Sequence, residues 1–363
     1  MPVVTNCFTE RQAALRNLLK SLDPPCDAML ISSLDNLRYL TGFTGSNGAV
    51  VIAADGAWFF TDPRYQFQAA QEVTADAKAV PGPLLMHAAR LMNRRKLRVI
   101  GFEQDHMTAG EFQQLTTQLP PRTTFVPRGG LVERLRMVKS AGELAAIRQS
   151  VVTNSRALDA VLGHFQPGVT EMELAGEIEY QMRKLGAEKP SFDTIVASGA
   201  RSAMPHAHPT KAAIERGALL IDMGAFENGY ASDMTRTFFV GKAPRAAVRI
   251  YKAVLEAQLA AIDAVRAGVK AGQVDRAARN VLKAHGLEQA FMHSTGHGLG
   301  LEIHEPPRIG KKEQTRLEAG MAITIEPGAY VEGAGGVRIE DTVIVTATGC
   351  EILTPTSKEM RVL

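Results

Sequence analysis

Asp222, Asp233, Glu326 and Glu340 are the residues of this 363-residue chain whose type and placement could do chemistry together. Glu326 ends the apolar run Ala322-Ile323-Thr324-Ile325, and Glu340 follows Val337-Arg338-Ile339. A carboxylate in an apolar strand is costly unless a proton, a cation or a metal neutralises it. These two lie fourteen residues apart across a Gly-rich turn, so a hairpin would aim both at one point. The pattern occurs twice. Asp222-Met223-Gly224-Ala225 matches Glu326-Pro327-Gly328-Ala329, and Asp233-Met234-Thr235 matches Glu340-Asp341-Thr342. A lone acid beside a strand reads as a turn residue or a solvated charge. Matched acids at both positions of both halves read as a site.

A histidine from Ser294–Glu305, STGHGLGLEIHE, completes the candidate set. One dication cannot neutralise four carboxylates, whereas two ions sharing bridging carboxylates fit, at a separation of about 3.5–4 Å. Oxygen-rich ligation with one nitrogen favours a harder ion such as manganese. Such a pair can hold a bridging hydroxide as nucleophile near neutral pH. In extended backbone Asp233, Thr235 and Thr237 share a face, as do Arg338, Glu340 and Thr342. The threonines could then support the carboxylates, with Arg338 pointing to the same centre. His297 and His304 are seven apart, on opposite faces of a strand, so a turn or bulge at Gly298-Leu299-Gly300 is needed to join them. His206 or His208, in MPHAHPT, is a further candidate, and Glu305 could support His304. His87, His106, His164, His285 and His293 read as structural. GHGLG is neither GxGxxG nor followed by Lys-Ser/Thr, so nucleotide binding is set aside.

These residues need elements to position them. The helix-like segments Gly168–Gly186 and Gly268–Gly286 repeat at the same length, which predicts two structural halves related by a pseudo-twofold axis. Ser140 with Glu143, and Thr170 with Glu173, form capping boxes. They predict helices from there to about Gly163 and over Glu171–Leu185. Further helices are expected over Arg245–Val265 and Val274–Ala284, and strands near Thr194–Ala197, Leu219–Met223 and Ala231–Val240. Upstream, Thr9–Leu22, Asp62–Glu72 and Thr108–Gln118 read as helices. Ala28–Ser32 and Arg98–Phe102 read as strands, Asp55-Gly56 as a hairpin turn, and Asn36–Gly48 as a loop. This alternation predicts a small α/β domain. The Pro/Gly-rich PPRTTFVPRGG before Val132 marks the boundary, giving domains 1–130 and 131–363.

Length alone makes two domains the default. A net charge of +3 gives no warrant for a nucleic-acid or membrane partner. Cys7, Cys26 and Cys350 lack metal-ligand spacing and read as free thiols of a reducing compartment. With no signal-like start and no long apolar run, a cytoplasmic protein is expected.

The ordered motifs IDMGA, SDMTRT, GHGLGLEIHE, TIEPGAY and VRIEDT resemble the pita-bread metallopeptidases, in the Xaa-Pro aminopeptidase and prolidase branch, from about Leu131 to the end. The resemblance implies an α+β pita-bread catalytic domain. Asp222 would chelate one metal, Asp233 and Glu340 would bridge two, and His297 and Glu326 would complete the other shell. His206 and His304 would be catalytic histidines that bind no metal. Ala207 stands where the family has Gly, and His208 has no family role. NLRYLTGFTGSNG and TDPRYQFQA resemble the creatinase-type N-terminal domain of small bacterial Xaa-Pro aminopeptidases, which methionine aminopeptidases lack.

The function this resemblance implies is that of a metal-dependent Xaa-Pro aminopeptidase with two divalent ions, manganese favoured and cobalt or zinc as alternatives. Its substrates would be proline-containing peptides. The bridging hydroxide would attack the carbonyl before proline, with Glu326 as base then acid, His304 at the tetrahedral intermediate and His206 and Arg338 on the substrate. The family also implies a homodimer. A prolidase restricted to Xaa-Pro dipeptides is the alternative, since the family shares such an arginine across both activities. A non-catalytic binding module of this fold is the remote one, because such relatives have usually lost metal ligands.

Overall fold

The computed structural model describes residues 4–166 and 168–363. They divide into two compact units, one ending at Arg136 and the other spanning Met137–Leu363.

The first unit is built on a mixed six-stranded sheet, order β4-β3-β2-β1-β5-β6. Its strands are β1 (Ala28–Ile31), β2 (Gly48–Ala53), β3 (Gly56–Thr61), β4 (Asp76–Ala79), β5 (Val99–Phe102) and β6 (Thr124–Pro127). Apolar residues of β1 and β2 pack on the helix Leu84–Arg94 through Ala88, Ala89 and Met92. The β2–β3 turn falls on Ala54-Asp55, because Gly56 already pairs with Ala53. That moves the turn one residue from the expected Asp55-Gly56, and two further sequence expectations are corrected here. Leu34–Thr41 is a helix, not the start of a loop, and it buries Asn36, Leu37, Tyr39 and Leu40. Gly42 ends it at φ 88°, a conformation glycine adopts without penalty. The segment PPRTTFVPRGG, expected to mark the domain boundary, contains the edge strand β6 and lies within the first unit.

In the second unit the repeat becomes visible as architecture. The first half carries β7 (Lys189–Pro190), β8 (Ile195–Ser198), β9 (Gly217–Met223), β10 (Ala225–Glu227), β11 (Tyr230–Ala231) and β12 (Met234–Val240). The second carries β13 (Gly296–Gly298), β14 (Glu305–Ile309), β15 (Ala322–Ile325), β16 (Gly328–Val331), β17 (Gly335–Arg338), β18 (Asp341–Val345) and β19 (Cys350–Ile352). Antiparallel β9 and β12 are joined through β10 and β11, as β15 and β18 are through β16 and β17. Each half has its own core. The helices Ala141–Leu162 and Glu171–Leu185 pack on β8, β9 and β12. The helices Arg245–Ala264 and Ala271–Ala284 pack on β15, β17 and β18.

Local sequence explains the helix starts. Ser140 and Thr170 each accept from the backbone N–H three residues on, while Glu143 and Glu173 reach back. Each such cap contributes about 1 kcal/mol. The second of the repeated helices begins at Ala271, three residues before its apolar periodicity does. The three cysteines are free thiols. Among the described residues no helix is long and apolar enough to cross a membrane.

Candidate active site

The four carboxylates sit where the two strand pairs begin or end. Asp222 is in β9 and Asp233 immediately precedes β12; Glu326 immediately follows β15 and Glu340 immediately precedes β18. Cross-links between the halves bring the pairs together. Glu340 N donates to Thr235 O (3.1 Å), and Thr342 Oγ1 donates to Asp233 O (3.0 Å). Of the threonines expected to support the acids, Thr235 does so, its Oγ1 donating to Glu340 Oε2 (2.8 Å), while Thr237 and Thr342 donate to backbone carbonyls. Thr324 Oγ1, not anticipated, donates to Glu326 Oε1 at 3.3 Å.

His297 joins them from β13. A Cβ on Gly296 would lie 2.0 Å from Thr324 O, so only glycine lets β13 approach β15 this closely. The His297 Nε2 is 3.5 Å from Asp233 Oδ2 and 3.4 Å from Glu326 Oε1. Its Nδ1 lies 3.0 Å from Gly298 O, which assigns the proton to Nδ1 and leaves the Nε2 lone pair facing the carboxylates. Ligand atoms of Asp233, His297 and Glu340 all fall within 4.8 Å of one another. The β13–β14 ladder shifts register after His297, and the chain turns between Leu299 and His304. The two histidine rings meet edge to face at 4.5 Å, where an unbroken strand would have put them on opposite faces.

These groups line one cavity of about 750 Å³, with His206, His208, His293, Arg338, Phe192, Asp193, Pro306 and Arg308. Burial, reinforced by Asp222 and Glu326, pushes the Asp233 carboxyl well above its ordinary range. Burial, then Asp233 and Glu326, does the same to Glu340. The Glu326 carboxyl is raised as well, chiefly by burial. Asp222 Oδ1 and Glu340 Oε1 are buried with no hydrogen-bond partner. Buried acceptors without donors, raised carboxylates and one aimed imidazole nitrogen form a donor set that fits divalent cations.

Arg338, expected on the substrate, is 3% exposed, and its guanidinium is used inside the protein. Nη2 donates to Asp222 Oδ2 (2.5 Å), Nη1 to Tyr330 Oη (2.6 Å) and Pro205 O (3.2 Å), and Nε to Thr235 Oγ1 (2.9 Å). Asp222 is therefore held by an arginine rather than by the threonines. Lys139 is buried against Glu305, 3.1 Å from its Oε2, which anchors the residue beside His304. His304 itself has its pKa lowered by partial burial and then by His297.

One cavity histidine is not identifiable from sequence. His293 reads as structural by itself, yet its Nδ1 lies 2.8 Å from Ser294 O and its Nε2 2.9 Å from Tyr330 Oη. Burial, then Arg338, brings its pKa down to about 4. Tyr330, whose hydroxyl burial pushes up to about 12, is the other residue to which the motifs assign no role. The signal for both is proximity in sequence: each lies four residues from a candidate ligand, His297 or Glu326.

Comparison with known proteins agrees with this geometry. Residues 145–347 match Metallopeptidase family M24, and residues 11–138 match the Creatinase/Prolidase N-terminal domain. The uncharacterized peptidase YqhT of Bacillus subtilis is 39% identical, covering 96% of this chain and 99% of its own. The structure of an Xaa-Pro dipeptidase from Bacillus anthracis superimposes with a TM-score of 0.95 at 38% identity, over 98% of this chain and 100% of that one. An X-Pro aminopeptidase from Thermotoga maritima gives a TM-score of 0.87 at 35% identity, over 93% and 98%.

Proposed function

The chain belongs to metallopeptidase family M24, and on that premise we propose that it is a metal-dependent Xaa-Pro aminopeptidase, removing the residue that precedes proline from the N-terminus of peptides. The observation that carries this reading is the cavity, where five candidate ligands and four further histidines converge. Two divalent ions, manganese by preference and cobalt or zinc as alternatives, would be held by Asp222, Asp233, His297, Glu326 and Glu340. When bound, they supply Lewis-acid polarisation of the scissile carbonyl and a nucleophilic water near neutral pH.

The chain's own groups do the rest. Glu326, with its raised carboxyl, takes a proton from the attacking water and returns it to the departing proline nitrogen. The neutral His304 donates a hydrogen bond to the carbonyl oxygen as charge builds there. His206 lines the proline pocket and bonds the substrate backbone. The unpartnered Oδ1 of Asp222 suits both a cation and a free α-amino group, with Arg338 fixing the carboxylate's orientation.

A dipeptidase restricted to Xaa-Pro is the second reading. A specific residue favours it: Arg308 is an exposed arginine on the cavity wall, placed to meet a dipeptide's carboxylate. The internal use of Arg338 favours the aminopeptidase, because that guanidinium is not turned to a substrate terminus. Hydrolysis of Ala-Pro and Ala-Pro-Ala by metal-stripped protein, reloaded with manganese, cobalt or zinc, separates the two. Free Ala from the tripeptide supports the aminopeptidase; cleavage of the dipeptide alone supports the prolidase; no cleavage with any ion refutes both. A homodimer and a cytoplasmic location belong to the same proposal, tested by light scattering and cell fractionation.

A further inference from the structure

His206 and His293 both stand on irregular backbone, which by itself leaves an imidazole poorly placed. Each segment is tied to a buried carboxylate on the second helix of its own half. In the first half Glu171, 0% exposed, accepts at both ends of the loop that carries His206. Arg201 Nε donates to its Oε2 (3.1 Å) at one end, and Thr210 N (3.1 Å) and Oγ1 (2.8 Å) donate at the other. Ser198 N donates to the remaining oxygen, Oε1, at 2.8 Å. Arg201 then reaches into the loop, its Nη2 donating to His208 O at 2.5 Å.

In the second half Asp275, 1% exposed, accepts from Arg279 Nε (2.8 Å) and Nη2 (3.0 Å) and from Thr295 Oγ1 (2.9 Å). Arg279 also donates to His293 O and, through Nη1, to Phe291 O (3.1 Å). The backbone carbonyl of Thr295 accepts from Glu326 N at 2.7 Å, so this segment also meets the backbone of the proposed general base. In the repeat alignment Glu171 matches position 271 and Asp275 matches position 175. The two acids therefore stand four residues apart on equivalent helices, one turn along the same face.

We infer that Glu171 with Arg201, and Asp275 with Arg279, are positioning residues: two buried acid–arginine clasps, one per half, that fix the backbone presenting His206 and His293 to the cavity. The inference rests on the peptidase reading only for its kinetic consequence. Each carboxylate is fully partnered within its clasp. In the first half, changing one member therefore displaces a loop rather than a metal ligand, and a misplacement of about 1 Å can cost roughly 100-fold in rate.

The test uses Glu171→Gln, Arg201→Lys, Asp275→Asn and Arg279→Lys in the full chain. The first two should lower kcat/KM for the peptide the wild type cleaves by about 10- to 100-fold, with metal stoichiometry unchanged. Combined with His206→Ala, either should cost less than about 2-fold more, because clasp and histidine act through one group. An equal loss in both backgrounds, or none in either, would overturn the inference. Imidazole nitrogen–proton correlations of the metal-free or zinc-loaded protein give a readout independent of activity. His206 should shift in E171Q and R201K while His293 stays, and the reverse should hold for D275N and R279K. Unmoved histidines, or all of them moving in every variant, would overturn it equally. If the wild type cleaves no Xaa-Pro peptide, the functional reading fails and the spectra still decide the clasps. If a carboxamide variant fails to fold, the lysine variants carry the test, Arg201 being 33% exposed.

Discussion

The two halves of the Met137–Leu363 unit share a scaffold and differ in what they attach to it. In the first half the acids are aspartates, one inside β9 and one beside β12; in the second they are glutamates, both just outside their strands. For the pair Asp222 and Glu326, a shorter side chain from within the sheet and a longer one from its margin line the same cavity. The first half offers the cavity His206 and His208 on a loop. The second offers His293, His297 and His304 around the β13–β14 turn. Symmetry thus built the platform, and the asymmetric histidines set one imidazole nitrogen, His297 Nε2, against the acids.

The largest test of that comparison treats the halves as equal. Asp233→Ala and Glu340→Ala, at matched positions, should each abolish metal retention and lower kcat by on the order of 1,000-fold or more, as measured by metal analysis and peptide assay. If one variant keeps both metal and activity, the acids are not equivalent partners. Next come the histidines, where the halves should differ. His304→Ala should lower kcat by about 100-fold, as expected for loss of a donor to the developing oxyanion. His206→Ala should act more on KM, and identical kcat and KM changes would erase the distinction.

Acidity gives a third test. Asp233, Glu326 and Glu340 have folded pKa values raised above their unfolded ones, chiefly by burial. Their contribution in the metal-free protein is therefore full below the usual carboxylate range and is lost as pH rises through the raised values. Added divalent ion offsets the repulsion, so the gain in Tm on metal addition should grow from pH 5 to pH 8. A gain that does not change with pH would mean that these acids are already ionised across that range without metal.

The smallest test concerns helix starts. Thr170 caps its helix through its side chain, and the matched Lys270 offers no side-chain cap. Thr170→Ala should cost about 1 kcal/mol in denaturant unfolding, and Lys270→Ala less than about 0.5 kcal/mol. Equal costs would show that the caps do not distinguish the halves.

Much of this was legible in the residues themselves. Capping boxes at Ser140 and Thr170 are local, so helix starts followed from four-residue patterns. The helix Leu34–Thr41 was not legible, because it is short and rests on burial of Asn36, Leu37 and Leu40. The doubled acid-bearing hairpins were readable because internal repetition carries its own control: chance does not match two acids twice.

The linear sequence determined which residues face each other within each hairpin, since strand parity and turn position are short-range. Only the tertiary structure decided three other matters: that a bulge after His297 brings His304 to it, that Arg338 serves Asp222, and that His293 belongs to the cavity. Arg338 and Asp222 are 116 residues apart, and His293 and Tyr330 are 37 apart. Which acceptor takes a buried donor depends on what folding places beside it, and no local pattern encodes that choice.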